Sequence, residues 1–319
     1  MTAPSVTITV LTFNGEQYLE ALLASVHAQR FLGEVEVLVV DSGSTDRTLE
    51  IVATYPGVRL HQIPNREFGH GRTRNLVAEL ASGEFVVYLT QDAVPAHDRW
   101  LHELVLPFVE DDRIAAVVGK QLARSSAPPA LKYDIQRVFE RLGPDYAITI
   151  VADWGQLVDD GVRAAAAFYS DSNSAARRSV LRGIAPYRDV DYAEDQLFAR
   201  DVLAAGLRKA YAPRAAVEHS NDVTLRNFGA RIEADVTGLR AIGWAVPRVS
   251  VRASIAQWLK WSTIDAIAIA LDRNYDPLAK LYWLLVNPWY HVAKWRAYRR
   301  ATLRPVEISP AAIDAGGEQ

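Results

Sequence analysis

The stretch Phe85-Val-Val-Tyr-Leu-Thr-Gln-Asp-Ala-Val-Pro95 decides the fold. Its first five residues form a short apolar run that reads as a buried strand. The run stops at a loop carrying one carboxylate, Asp92. A carboxylate just past the carboxyl end of a buried strand is well placed to hold a divalent cation against a phosphate, because sheet edges and helix starts converge there. Working outward, Val6 to Leu11, Val35 to Val40, Val58 to Ile63 and Ile114 to Val118 read as further strands. Between them, apolar residues recur at helical spacing from Tyr18 to Val26, Gly71 to Leu80 and Asp98 to Val109, and another helix is expected to start near Arg47. This alternation predicts an α/β fold: a mostly parallel sheet with helices on both faces and right-handed crossovers.

After Gln121 the pattern loosens. Ala127-Pro-Pro-Ala130, Gly143-Pro144 and the alanines 164 to 167 suggest an inserted, partly mobile region that forms the acceptor side of a site. A helix is expected through Ala175 to Leu181, another from Tyr192 to Ala205 closed by Gly206, and a short strand from Arg208 to Tyr211. The expected division is a nucleotide-binding half at 1–120, an acceptor-binding and catalytic half at 121–235, a helical appendage at 236–305 and a flexible tail at 306–319.

Composition bounds the chemistry. The 319 residues, half of them hydrophobic, suffice for a large core. No cysteine is present, which excludes disulfides and thiolate catalysis or ligation. A formal charge of -3 gives no general electrostatic case for nucleic acid as a partner. The amino terminus shows no secretory pattern, so the active part is expected in the cytoplasm.

Several polar clusters follow strands. Thr12-Phe-Asn-Gly15 lacks the glycines of a dinucleotide site and the basic residues of a triphosphate loop. Thr12 and Asn14 fit either a nucleotide contact or an Asx-type turn. Asp41, opening Asp41-Ser-Gly-Ser-Thr-Asp46, stands where its carboxylate could accept the imide N–H of uracil or thymine, whereas Asp46 suits a helix cap. In Arg66-Glu-Phe-Gly-His-Gly-Arg-Thr-Arg-Asn75, backbone N–H groups, the helix dipole and Arg72 or Arg74 would favour a diphosphate; a glycine turn with a solvated basic face is the plainer alternative. Asp171 and Asn173, in Asp171-Ser-Asn-Ser-Ala175, could meet a sugar or cap a helix. Trp154 could stack on an acceptor sugar or serve as a core tryptophan.

The ordered set Thr12-Phe-Asn14, Asp41-Ser-Gly-Ser-Thr-Asp46, Gly71-Arg-Thr-Arg-Asn75, Thr90-Gln-Asp92 and Glu194-Asp195 resembles glycosyltransferase family 2, inverting enzymes of GT-A fold, through about residue 225. Within it, Thr90-Gln-Asp-Ala-Val-Pro95, Glu194-Asp-Gln196 and Glu218-His-Ser220 are similar to bacterial rhamnosyltransferases that build polysaccharides. The resemblance implies a nucleotide-sugar donor contacted by Thr12, Asn14, Asp41, Gly71, Arg72, Arg74, Asn75, Gln91 and Asp92. It also implies Mg²⁺ or Mn²⁺ on Asp92 and His219, and Asp195 as catalytic base supported by Glu194. The family usually shows D-x-D where this chain has Thr90-Gln-Asp92, so one carboxylate is missing. The implied reaction moves L-rhamnose from a dTDP donor to a glycan hydroxyl, with a UDP-sugar (galactofuranose, N-acetylglucosamine or glucose) or a non-catalytic sugar-nucleotide-binding subunit as alternatives.

Six of the eight tryptophans, with ten Lys or Arg against three acidic residues, lie between Trp244 and Pro305. This suggests either helices packed on the main domain or a peripheral contact with the cytoplasmic face of the inner membrane, where a lipid-linked glycan acceptor would reside. Lys260 and Asp265 interrupt one apolar run, and Pro288 is expected to split the next.

Overall fold

A computed structural model describes residues 3–313; the far end of the tail expected to be flexible, 314–319, lies outside the described residues. In chain order the elements are β1 (Ser5–Thr12), α1 (Leu19–His27), β2 (Glu34–Asp41), α2 (Thr48–Ala53), β3 (Val58–Gln62), α3 (His70–Leu80), β4 (Phe85–Thr90), β5 (Val94–Pro95) and α4 (Trp100–Glu110). They continue with β6 (Ile114–Leu122), α5 (Pro129–Leu142), β7 (Thr149–Val151), α6 (Asp160–Ala166), β8 (Asn173–Arg177), α7 (Glu194–Ala204), β9 (Arg208–Glu218), α8 (Leu225–Ala241), α9 (Val251–Leu271) and α10 (Pro277–Leu303).

Two compact units emerge. The first holds residues up to Leu122 and Val138–His219; the second holds Ala123–Arg137 and the chain from Ser220 onward. The expected segment 121–235 is therefore divided between them. The first unit is an α/β fold on a sheet of order β3-β2-β1-β4-β8-β6-β9-β5, with β7 also on β9. Strands β3, β2, β1 and β4 run parallel, β6 and β9 run parallel, and β8 is antiparallel to both β4 and β6. Its core packs Ile8, Val39 and Val87 with Leu22, Leu104 and the fully buried Trp100, each large apolar side chain contributing roughly 1.5–3 kcal/mol.

Three local expectations are corrected. Residues 173–177 form the central strand β8 rather than the start of a helix: Ala175 and Ala176 are fully buried between β4 and β6, and sheet pairing overrides the helix preference of alanine. The Pro-rich stretch after Gln121 leads into the 14-residue helix α5, whose first residue is Pro129, a position where the missing N–H costs nothing. The short strand at Arg208 extends to Glu218 because it pairs with β6 on one side and with β5 and β7 on the other.

The second unit is helical. Pro288 does not split α10, which runs from Pro277 through Leu303. Asp265 is a buried anchor rather than a break: its carboxylate meets His291 Nε2 at 2.7 Å, Arg137 at 2.9 Å and Asn287 Nδ2 at 3.2 Å. Asn287 in turn accepts from the Ala130 N–H at 2.7 Å. Three donors on one buried carboxylate supply the pairing such a charge requires. Among the described residues no helix is long and apolar enough to cross a membrane.

Candidate active site

The carboxyl ends of β1 and β2 are tied by side chains. Thr12 Oγ1 donates to Asp41 Oδ2 at 3.0 Å, and Asn14, held in the left-handed region at φ 50°, accepts the Thr45 N–H at 2.8 Å. Asp41 is fully buried and also accepts from the backbone N–H groups of Gly43 and Ser44, both at 3.0 Å, and from the Ser44 hydroxyl at 2.5 Å. With Thr12, that makes four donors, the full capacity of a carboxylate. Here Asp41 organises the loop, and an imide N–H would have to displace one of these donors. Asp46, one residue before the N-cap Arg47, accepts the Thr48 N–H at 3.0 Å.

Helix α3 holds a neighbouring segment in place. A Cβ on Gly71 would lie 2.0 Å from the Arg188 carbonyl oxygen, so only glycine allows this approach. Asn75 brackets Tyr187, donating to its carbonyl at 2.8 Å and accepting its N–H at 2.9 Å. Arg74, expected on a diphosphate, is buried: its Nε lies 2.6 Å from Asp171 Oδ2 and its Nη1 pairs with Glu194. Arg72 stays exposed, 3.5 Å from Asp189, and remains available to an anion.

The segment so held carries Glu194 and Asp195. It enters α7 through Ala193, whose φ of 56° places a non-glycine residue in the left-handed region directly before the pair, a conformation that costs on the order of 1 kcal/mol and marks sites held by their surroundings. Glu194 is buried against Arg74, whereas Asp195 is half-buried, its Oδ1 accepting the Gln196 N–H at 2.8 Å. Burial, then the charges of Glu194 and Asp171, push the Asp195 carboxyl well above the usual carboxylate range. Arg74 offsets part of this but is shared between two carboxylates. A half-exposed carboxyl with raised proton affinity is the chemistry a general base needs. Tyr187, absent from any motif, completes the cluster by donating to Asp171 at 2.9 Å and lying 5.7 Å beneath the Arg74 guanidinium.

At the end of β4, Gln91 pairs with the Phe13 backbone through its Oε1 at 2.9 Å and Nε2 at 3.2 Å, which steadies the first loop and leaves Asp92 as the outward carboxylate. Asp92 Oδ2 lies 3.4 Å from His219 Nε2. On the other side of the imidazole, Nδ1 meets Gln121 Oε1 at 3.1 Å. A neutral imidazole donating through Nδ1 to that amide oxygen would turn an Nε2 lone pair toward the carboxylate, the tautomer of a metal-binding histidine. Two electron-pair donors facing across this gap fit a divalent cation, which Asp92 and His219 would hold. Among the described residues no group of three or more His, Cys, Asp or Glu side chains could hold a metal, so the remaining ligands would be donor oxygens and water. The Thr90 hydroxyl, in place of the missing carboxylate, has no hydrogen-bond partner among the described residues.

The expected acceptor residues separate. Asp171 is buried on Arg74, Ser174 and Tyr187, and Asn173 is buried with bonds to Trp100 Nε1 and to the Lys120 and Ala215 carbonyls. Trp154 is half-buried, with the Arg163 guanidinium 5.5 Å from its ring. Gln121 and Tyr187 were not legible as site residues, since neither sits in a motif.

The comparisons with known proteins converge. The family described as Glycosyl transferase family 2 matches residues 7–184. The O-antigen chain rhamnosyltransferase RfbN of Salmonella typhimurium is 30% identical over 223 residues, 69% of this chain and 68% of RfbN. The O-antigen chain rhamnosyltransferase WbaN of Salmonella anatum is 34% identical over 193 residues, 60% of this chain and 58% of WbaN. Among solved structures, the mannosyltransferase PcManGT from Pyrobaculum calidifontis, in complex with GDP-Man and Mn²⁺, superposes with a TM-score of 0.57 at 19% identity over 94% of this chain and 88% of its own. TarS 1-349 of S. aureus in complex with UDP-GlcNAc gives 0.52 at 17% identity, over 93% and 90%. These likenesses bear out the GT-A fold.

Proposed function

The chain belongs to glycosyltransferase family 2, and on that premise we propose that it transfers L-rhamnose from dTDP-rhamnose, with inversion, to a hydroxyl of a growing surface glycan. The observation that carries this reading is Asp195: a half-buried carboxyl of raised proton affinity beside a Glu194 immobilised by Arg74. The acceptor oxygen attacks the anomeric carbon from the face opposite the leaving group and its proton passes to Asp195. The bond from that carbon to the diphosphate oxygen breaks, releasing dTDP. Asp92 and His219 would hold Mg²⁺ or Mn²⁺, which supplies charge neutralisation for the diphosphate when bound. Arg72 adds a positive charge, and the first loop, built by Thr12, Asn14, Asp41 and Gln91, supplies the nucleoside side.

The rhamnosyl assignment draws on RfbN and WbaN. A UDP-sugar is the competing reading, favoured by the likeness to TarS, whose structure was solved with UDP-GlcNAc. A panel of nucleotide sugars scored by thermal unfolding separates the two, since a ligand bound only by the folded state raises the melting temperature. dTDP-rhamnose should give the largest shift. A shift with a UDP-sugar and none with dTDP-rhamnose overturns the donor assignment. Absence of transfer or donor hydrolysis, with binding intact, would leave a non-catalytic subunit.

We place the protein at the cytoplasmic face of the inner membrane, bound peripherally by its helical unit and acting on a lipid-linked glycan. Support comes from the large apolar side chains exposed on α9 and α10, among them Leu259, Leu271, Leu278 and Leu285, which a water-facing surface rarely gathers.

A further inference from the structure

The helical unit carries a cleft of about 870 Å³ between α8, α9 and the second half of α10. Val251, Ile255 and Trp258 from α9 and Ala293 and Trp295 from α10 give it an apolar floor. Its rim is basic, with Arg226 from α8 and Arg296, Arg299 and Arg300 from α10 standing against one acid, Glu233. That acid is taken by Arg300, at 3.1 Å, and by Arg304. Arg226, Arg296 and Arg299 form no ion pair among the described residues. In the cleft wall, Trp295 Nε1 and Arg299 Nε are buried without an acceptor among the described residues, a cost of about 1–3 kcal/mol each that a ligand oxygen would remove. On α10 the face that bears Arg296 and Arg300 bears Leu281, Leu285 and Trp289 nearer the amino end, 57%, 66% and 61% exposed, because residues at these spacings share a helix side.

We propose that the cleft seats the phosphate of an anionic phospholipid while the apolar face of α10 lies in the headgroup layer of the same bilayer. The inference rests on the membrane contact proposed above and adds a specific headgroup site to it. Guanidinium forks match phosphate oxygens, and the indole rings lie against the apolar stem. Charge decides against a second copy as occupant, since a two-fold contact through this face would set the same arginines against each other.

The test is co-sedimentation of the full chain with phosphatidylcholine vesicles, with and without phosphatidylglycerol, comparing wild type and Arg226→Gln/Arg296→Gln. Both arginines are exposed and form no ion pair among the described residues, so the variant should keep the wild-type melting temperature. Wild type should prefer phosphatidylglycerol, and the variant should lose about thirtyfold of that affinity. Equal binding to both vesicle types, or no loss in the variant, overturns the headgroup site but leaves membrane contact standing. Binding to neither overturns both. Inorganic phosphate alone stabilising the protein as much as phosphatidylglycerol vesicles would assign the cleft to a free anion. A dimer lost in the variant would assign it to a second copy; either result overturns the proposal. Donor hydrolysis in the same samples tests the transfer reading separately.

Discussion

Arg74 Nε lies 2.6 Å from Asp171 Oδ2 inside the α/β unit, and the other arm of the same guanidinium grips Glu194. One buried cation thus serves two buried carboxylates, and the surplus negative charge falls on Asp195. The motif on α3 therefore shapes the Glu194–Asp195 pair from behind.

Replacing Arg74 with Met should destabilise the protein by about 3–5 kcal/mol, because it strands two buried carboxylates. Chemical denaturation reads this directly. Were Arg74 instead an exposed diphosphate ligand, stability would change little and donor affinity would collapse.

Asp195→Asn should lower kcat by about 10²–10⁴-fold while leaving the donor-induced thermal shift in place. In wild type, the pH profile of kcat/KM should fall as pH drops through a pKa above the usual carboxylate range, since only the ionised form accepts the proton. Stability has the opposite sign. The folded state holds this proton more tightly than the unfolded chain, so the stability from Asp195 is full at low pH and is lost as pH rises through its raised pKa. The Asn variant should therefore melt above wild type at pH 8 and converge with it in acid.

Removing the partner of the histidine tests the proposed cation. Gln121→Leu frees His219 Nδ1 and should raise the Mn²⁺ concentration needed for half-maximal transfer by about 10–100-fold. His219→Ala should weaken it at least as much. Full activity of wild type in excess chelator would confine Asp92 and His219 to positioning the donor.

Lys209 offers a check remote from the proposed chemistry. It is buried on β9, its Nζ 2.5 Å from the Phe168 carbonyl, and burial pushes its pKa down to about 7. The unfolded chain binds this proton more tightly, so stability should rise with pH from about 7 toward the ordinary lysine value. Lys209→Met should raise the melting temperature, and by more at pH 6 than at pH 9. A pH-independent change would show that Lys209 keeps its ordinary proton affinity in the folded chain.

Much of the architecture was legible because it is local. Strands β1 to β4 and helix α3 follow from apolar period and turn residues within a dozen positions of each other. The same reading failed at β8, where Ala175 and Ala176 look helical in isolation but are flanked by β4 and β6. It also failed at Pro288, because a proline does not end a helix whose flanks are held by packing.

The sequence by itself determined where the polar loops fall and which carboxylates stand in them, since hydrophobic period and turn chemistry act between near neighbours. Only the tertiary structure decided which of those side chains face inward. Arg74 and Glu194 are 120 residues apart, and Thr12 and Asp41 are 29 apart. Burial and ion pairing depend on what the folded chain brings alongside. This is why Arg74, Asp171 and Asn173 are buried in contacts within the fold, while Asp92 and Asp195 stay partly exposed.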